Sequence, residues 1–192
     1  MPLSNNHSFA LKFYRTSVIV VGVAVIAVAV YKLWSSAFDW QIAALAVLTA
    51  LVASQISIKF SKDNNNNITL ADTFIFLALL LWGAPAAILM AATESIASTV
   101  KTQNRSFVAY LFNMSAATIG TWITSITLST YFNDPIKLVS ELPLSTFALA
   151  ICVMGLTQYF AVSSILAIMQ FLHLPSRQSW RTWMKQYYLW II

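Results

Sequence analysis

Two acidic residues stand alone in a long apolar stretch. Asp72 and Glu94 are the only charged residues between Ile68 and Val100. Ionisable side chains inside such segments are costly, so each is by default a candidate functional residue. Each lies 11 residues from Gly83, which begins a Gly-Ala-Pro turn sequence. If helices flank this turn, both carboxylates lie about 16 Å from it and at one level. They could then share a proton, or bind a cation or the amine of a ligand.

Both carboxylates also have structural interpretations. Thr69 and Asp72 fit the capping box, in which the first residue caps a helix and the acidic residue lies in its first turn. Glu94 shares one helix face with three small residues, Ala87, Ala91 and Ser98. Because small residues favour helix packing, we expect Glu94 to point into a helix bundle. There it could serve a function or be hydrogen-bonded to Ser, Thr or Asn side chains.

Two amides complete the set of candidates for a polar pocket. Asn113 and Gln158 lie within later apolar segments that contain no charge. Either could line a pocket or form a hydrogen bond between helices. The hydroxyls near Asn113 are expected to bond back to carbonyls of their own helix, namely Thr118, Thr121, Thr124, Ser125 and Thr127. The candidate ligand-binding residues are therefore Asp72, Glu94, Asn113 and Gln158.

The sequence contains none of the common catalytic or nucleotide-binding motifs. G-x-S-x-G, H-E-x-x-H, the P-loop and G-x-G-x-x-G are all absent. His7 and His173 have no metal-ligand partner at the usual spacing. Cys152 is the single cysteine, so no intramolecular disulfide can form. We predict a protein that is not an enzyme, has no cofactor or metal, and does not bind nucleic acid, since no basic and aromatic cluster occurs.

The composition indicates an integral membrane protein. Of the 192 residues, 59% are hydrophobic and only 9% are charged, whereas a soluble domain carries about 25% charged residues. This balance excludes a disordered chain, a coiled coil and nearly every soluble enzyme. We predict an all-α integral membrane bundle of six transmembrane or re-entrant helices, forming one domain over residues 1–192.

Apolar runs and turn signals divide the chain into segments, because about 20 apolar residues cross a bilayer. The six predicted segments are Ser17–Phe38, Trp40–Ile58, Ile68–Trp82, Pro85–Gln103, Ser106–Asn133 and Leu142–Ser176. The third and fourth form a hairpin, whose short first arm could re-enter the membrane instead of spanning it. The sixth is either tilted or begins with an interfacial piece at Pro143. Residues 177–192 are either an interfacial amphipathic tail or the start of a further span cut short.

The placement of Lys and Arg predicts the orientation. If residues 1–16 are cytoplasmic, nine of the 11 basic residues lie on the inner side, and only Lys32 and Lys137 lie outside. Inner loops of membrane proteins carry an excess of Lys and Arg. We therefore predict that both ends are inside and that the chain lies in a bacterial inner membrane, in contact with the lipid bilayer. A homodimer is left open.

The hairpin resembles a known kind of sensor. Residues 70–76, Leu-Ala-Asp-Thr-Phe-Ile-Phe, are followed by the turn at Gly83, a small-residue helix and a Leu-Phe-Asn motif at 111–113. This pattern is similar to the N-terminal membrane sensor regions of bacterial cyclic-di-GMP signalling proteins, which end in HD-GYP or GGDEF output domains. The resemblance covers roughly residues 40–190, and since residues 1–192 include no output domain, we expect either an input module alone or a truncated one. It implies a sensory input module that binds a small ligand or reports membrane state to a cytoplasmic output domain.

The same hairpin pattern also resembles the substrate-binding S components of energy-coupling-factor vitamin transporters. Those are six-helix membrane proteins of about this size. The resemblance implies binding of a vitamin-like molecule and assembly with an ATP-driven transporter partner. A structural membrane subunit without catalysis is the third alternative, since every polar residue named above also has a structural interpretation.

Overall fold

The chain folds into six helices and one short pair of strands within the part that its computed structural model describes. This part comprises residues 5–35, 40–49, 57–59, 67–69, 71–101, 106–133, 136 and 143–173. The elements are α1 Asn5–Ser35, α2 Trp40–Leu48, β1 Ser57–Lys59, β2 Asn67–Thr69, α3 Ala71–Trp82, α4 Ala84–Lys101, α5 Phe107–Phe132 and α6 Leu144–His173. The predicted helical class and number of helices are confirmed for these residues.

Three of the long helices follow the predicted segments closely or extend them. α1 begins at Asn5, inside the predicted cytoplasmic end, because no Pro or Gly interrupts residues 5–17. α5 has the predicted bounds, and Asn133 ends it at a φ of 62°. α6 is one continuous helix from Leu144, so the separate interfacial piece predicted at Pro143 is not formed. The predicted tail, 177–192, lies outside the described residues.

The second and third segments contain an error of prediction. They were expected to be helical up to Ile58 and from Ile68, but these two residues pair with each other in the antiparallel strands β1 and β2. β-branched residues favour extended backbone, and strand pairing satisfies their amide and carbonyl groups. Thr69 is the last residue of β2, two positions before the first residue of α3, and its role as the cap stays a prediction. Asp72 does lie in the first turn of α3.

The predicted hairpin is formed by α3 and α4. Gly83 links them with a φ of +79°, which L side chains rarely adopt. Its N–H donates to the carbonyl of Leu79 at 3.1 Å, and its carbonyl accepts from the N–H of Ala87 at 3.3 Å. The first of these bonds closes α3 with a left-handed cap. Because α4 starts at once, the two arms lie side by side.

α5 is the central helix of the bundle and packs against α1, α4 and α6. The main apolar core lies around the hairpin and includes the fully buried side chains of Leu79, Met90, Leu128 and Met154. α1 approaches α5 closely where Gly22 meets Ser115, since a Cβ at Gly22 would overlap Ser115. The Ser115 hydroxyl donates to the α1 backbone there, at the carbonyl of Ile19, over 3.4 Å.

Two helices are long and apolar enough to cross a membrane, over Phe9–Ser35 and Leu144–Leu172. The apolar helices Asp72–Trp82 and Ala84–Val100 are shorter. Large apolar side chains on the two long helices face outward, among them Phe13, Trp34, Leu149 and Phe171. A surface of this kind suits contact with lipid better than contact with water. The entry of all six segments into the membrane stays a prediction.

Candidate functional site

The four candidate residues lie on four helices and line one cavity. Asp72 comes from α3, Glu94 from α4, Asn113 from α5 and Gln158 from α6. The cavity has a volume of about 670 Å³, within the usual range for small-molecule pockets, about 300–1,000 Å³. The structure thus brings together residues from four separate predicted segments. Their role in binding stays a prediction.

Asp72 and Glu94 face the cavity from the two arms of the hairpin. Residues equally far from the turn of two antiparallel helices lie at one level, as their spacing from Gly83 predicts. Both side chains line the same cavity, so negative charges on the two would repel each other. No hydrogen bond or ion pair reaches either carboxylate from the described residues. The structural interpretation of Glu94, a carboxyl bonded to Ser, Thr or Asn, is therefore not seen there.

Gln158 both lines the cavity and joins α6 to α5. Its side chain is only 7% exposed. Its Nε2 donates to Thr121 Oγ1 at 3.2 Å, and its Oε1 accepts from Thr124 Oγ1 at 3.0 Å. The helices are close here because Gly120 has no side chain to displace Val162. Both of the alternatives considered for Gln158, pocket and bridge, therefore hold at once.

Asn113 repeats this arrangement between α5 and α4. Its Nδ2 donates to Thr99 Oγ1 at 3.3 Å, and Thr99 Oγ1 donates to the Ser95 carbonyl at 2.7 Å. In both places an amide donates to a threonine hydroxyl that also bonds to its own helix. The back-bonding predicted along α5 is confirmed for Thr118, Thr121, Thr124, Ser125 and Thr127.

Two serines that the sequence analysis did not select also line the cavity. Ser95 on α4 is 6% exposed and Ser163 on α6 is 9% exposed. Neither hydroxyl has a hydrogen-bond partner among the described residues. Both residues are among those that line the cavity. The spacing of Gly155, Tyr159 and Ser163 at every fourth residue was a signal that could have identified Ser163.

The rest of the lining is apolar or aromatic. Ile75 and Phe76 come from α3, and Tyr159 and Leu166 come from α6. The described lining residues include no Lys, Arg or His. No group of three or more His, Cys, Asp or Glu side chains suited to a metal ion occurs among the described residues. The cavity thus combines two carboxyl groups, amides, hydroxyls and apolar walls.

Comparisons of the chain with protein-family models, with curated proteins and with solved structures give no match. The resemblances to bacterial sensor regions and to S components therefore enter only as proposals.

Proposed function

We propose that the chain is a multi-pass membrane input module that binds a small ligand inside its helix bundle. The observation that carries the proposal is the common cavity of Asp72, Glu94, Asn113 and Gln158. A ligand there would contact α3, α4, α5 and α6 together. Its affinity would depend on how these helices are arranged, so binding would favour one arrangement over another. That dependence is what a sensor requires.

α6 is the element that would transmit the change. It lines the cavity from Gly155 to Leu166 and continues to His173. In the proposed orientation, with both ends inside, it leads to the basic segment that begins at Arg177. A displacement of α6 by a ligand would therefore reach the cytoplasmic side, where an output domain or partner protein could respond.

A bacterial inner membrane is the proposed location, with six segments in the bilayer. The lengths of α1 and α6 and their outward apolar side chains support this proposal. The shorter arms of the hairpin would enter from the inner side and return to it. Their carboxylates would then be shielded from lipid by α5 and α6, as buried charges in membranes require.

A substrate-binding subunit of a vitamin transporter is the second candidate. The size of the cavity and its mixture of polar and apolar walls favour this function as well. The two candidates differ in their partners, because only the transporter subunit would copurify with an ATP-driven protein. They also differ in the expected size of the native protein, since a sensor region would be joined to an output domain.

Ligand retention tests the binding function common to both candidates. The protein is purified in detergent from its own cells, and the small molecules released on denaturation are identified by mass spectrometry. Ala116→Phe fills the cavity from α5, whereas Ile126→Phe adds the same ring on the exposed side of that helix. We expect one compound to be at least ten-fold more abundant in the samples from the wild type and Ile126→Phe than in the sample from Ala116→Phe. Equal recovery from all three proteins would contradict the proposal.

The native size then separates sensor from transporter. An immunoblot with an antibody against residues 1–62 is made on the source cells. A band well above 21.3 kDa supports a sensor with an output domain. A band at that mass, together with copurification of an ATPase, supports the transporter subunit instead.

A further inference from the structure

The two carboxyl groups of the cavity have no basic partner among the described residues that line it. Asp72 and Glu94 line it, and the described lining residues include no basic side chain. Unpaired carboxylates in a weakly polar interior are costly. Repulsion between them adds to that cost. A proton shared by the two carboxyl groups would lower this cost, and a cation bound between α3 and α4 would remove it.

The hydroxyls of Ser95 and Ser163 point independently to a ligand. Each residue is more than nine-tenths buried, lines the cavity and has no side-chain hydrogen-bond partner among the described residues. Unused polar groups in a protein interior cost free energy. The two serines are on different helices, α4 and α6, so one molecule placed between them could accept from or donate to both.

The volume and the walls argue for a molecule with an apolar body. The cavity has a volume of about 670 Å³. One water molecule occupies only about 30 Å³ in the liquid. The rings of Phe76 and Tyr159 and the side chains of Ile75 and Leu166 also line it. Aromatic rings attract organic cations over their faces. Such walls would gain nothing from a small hydrated metal ion.

We infer that the ligand is an organic cation, with a protonated amine or quaternary ammonium near Asp72 and Glu94 and an apolar body toward Tyr159 and Leu166. This inference rests on the proposed function and names the chemical class of its ligand. The hydroxyls of Ser95 and Ser163 would bond to the polar end, and the amides of Asn113 and Gln158 would stay in their links between helices.

A charge-selective thiol reaction tests the inference. Cys152 is the single cysteine, so Cys152→Ser provides a background without thiols. Ser163→Cys is nearly isosteric and places one thiol in the cavity of the full-length chain in detergent. The rate at which this thiol reacts is measured with two methanethiosulfonates, a cationic one (trimethylammonioethyl) and an anionic one (sulfonatoethyl). Each rate is divided by the rate at which the same reagent reacts with a free thiol in solution. The resulting ratios are compared with those for Ser145→Cys, which places a thiol at the exposed start of α6.

We expect the normalised preference for the cationic reagent to be about ten-fold or more at Ser163→Cys, since a negatively lined cleft concentrates cations. It should be near one at Ser145→Cys. Adding Glu94→Gln should reduce it several-fold. Tryptamine should slow the cavity reaction, whereas its neutral and anionic analogues, tryptophol and indole-3-acetate, should not.

The possible failures can be told apart. If both reagents react at Ser163→Cys without a charge preference, and tryptophol protects as well as tryptamine does, the cavity binds ligands but the cationic class is wrong. If neither reagent reacts at Ser163→Cys while Ser145→Cys reacts readily, the cavity is closed to small molecules. The proposed function itself is then overturned.

Discussion

Gln158 illustrates how one side chain can serve both the structure of the bundle and its cavity. Its amide is held by the hydroxyls of Thr121 and Thr124, so its position is set before any ligand arrives. Asn113 is held by Thr99 in the same way. Amides anchored to neighbouring helices keep the walls of the cavity in place. Asp72 and Glu94 lack such anchors among the described residues, so they are the groups that the proposed ligand would contact first.

The amide link can be tested with Gln158→Leu. We expect the free energy of unfolding to fall by about 1 kcal/mol, as is typical for a hydrogen bond between membrane helices. Reversible unfolding in mixed micelles measures it. The matched control is Thr130→Val, because the Thr130 hydroxyl is exposed and bonds to its own helix at Ile126. A loss at Gln158 no larger than that of the control would mean that the link between α5 and α6 contributes nothing.

At the scale of elements, the hairpin controls the geometry of the site. Its turn, Gly83, determines which residues of α3 and α4 are opposite each other, and so brings Asp72 level with Glu94. Any change in the turn would shift one arm along the other. Gly83 also ends α3, because its N–H donates to the carbonyl of Leu79. The residue at which α3 ends therefore also determines how far Asp72 lies from the turn.

The turn can be tested with Gly83→Ala. Because Gly83 has a φ of +79°, a Cβ there costs about 1–2 kcal/mol. We expect that loss in the free energy of unfolding, together with weaker ligand retention. Gly155→Ala is the control for stability alone, because Gly155 itself lines the cavity. A Cβ at Gly155 meets no atom within 4 Å, and alanine favours a helix by about 1 kcal/mol. Equal effects of the two substitutions would contradict the role of the turn.

Local signals in the sequence were enough to predict the hairpin, the bounds of α5 and the types of residue in the site. Gly83 marks the turn of the hairpin because few other residues tolerate a backbone with positive φ, and Asn133 marks the end of α5 for a similar reason. The strands were missed because Ile58 and Ile68 continue the apolar pattern of the segments beside them. Period and composition alone do not distinguish such an end from more helix.

The partners within the site could not be predicted. That Asn113 would meet Thr99, and that Gln158 would meet Thr121, depends on how α5 is rotated against its neighbours. That rotation follows from packing between distant segments, such as the contact of Gly120 with Val162. Ser95 was overlooked for the same reason, since serines are common on membrane helices, whereas the spacing of Ser163 from Gly155 and Tyr159 was a signal in the sequence.

At the scale of the whole molecule, the outward face of α1 and α6 is the feature to explain. Side chains as large as Phe13, Trp34 and Phe171 are exposed on the bundle. Lipid would cover them in the proposed membrane location. The polar groups, in contrast, gather in the cavity between α3, α4, α5 and α6. Among the described residues, the two long helices thus carry apolar side chains on the outside, and the two acidic side chains lie between helices, as expected for a bundle whose solvent is the bilayer.

This arrangement predicts the behaviour of the chain in cells. It should remain in the membrane fraction after alkaline carbonate washing and be released only by detergent. Green fluorescent protein fused to either end should fluoresce, and alkaline phosphatase fused after Asn133 should be active, because that residue lies outside in the proposed topology. Activity of a phosphatase fused at either end would contradict it, and a fusion after Lys101, on the inner side, is the matched control.

The close fit of Gly22 against Ser115 has a consequence for biogenesis. α1 is made first, yet the helices it packs against, α4, α5 and α6, all lie beyond residue 83. During synthesis on the ribosome, α1 would enter the membrane first and would lack its packing partner until α5 has been synthesised. The close approach of their backbones therefore forms late, and the ligand cavity can be completed only after α6 has been inserted.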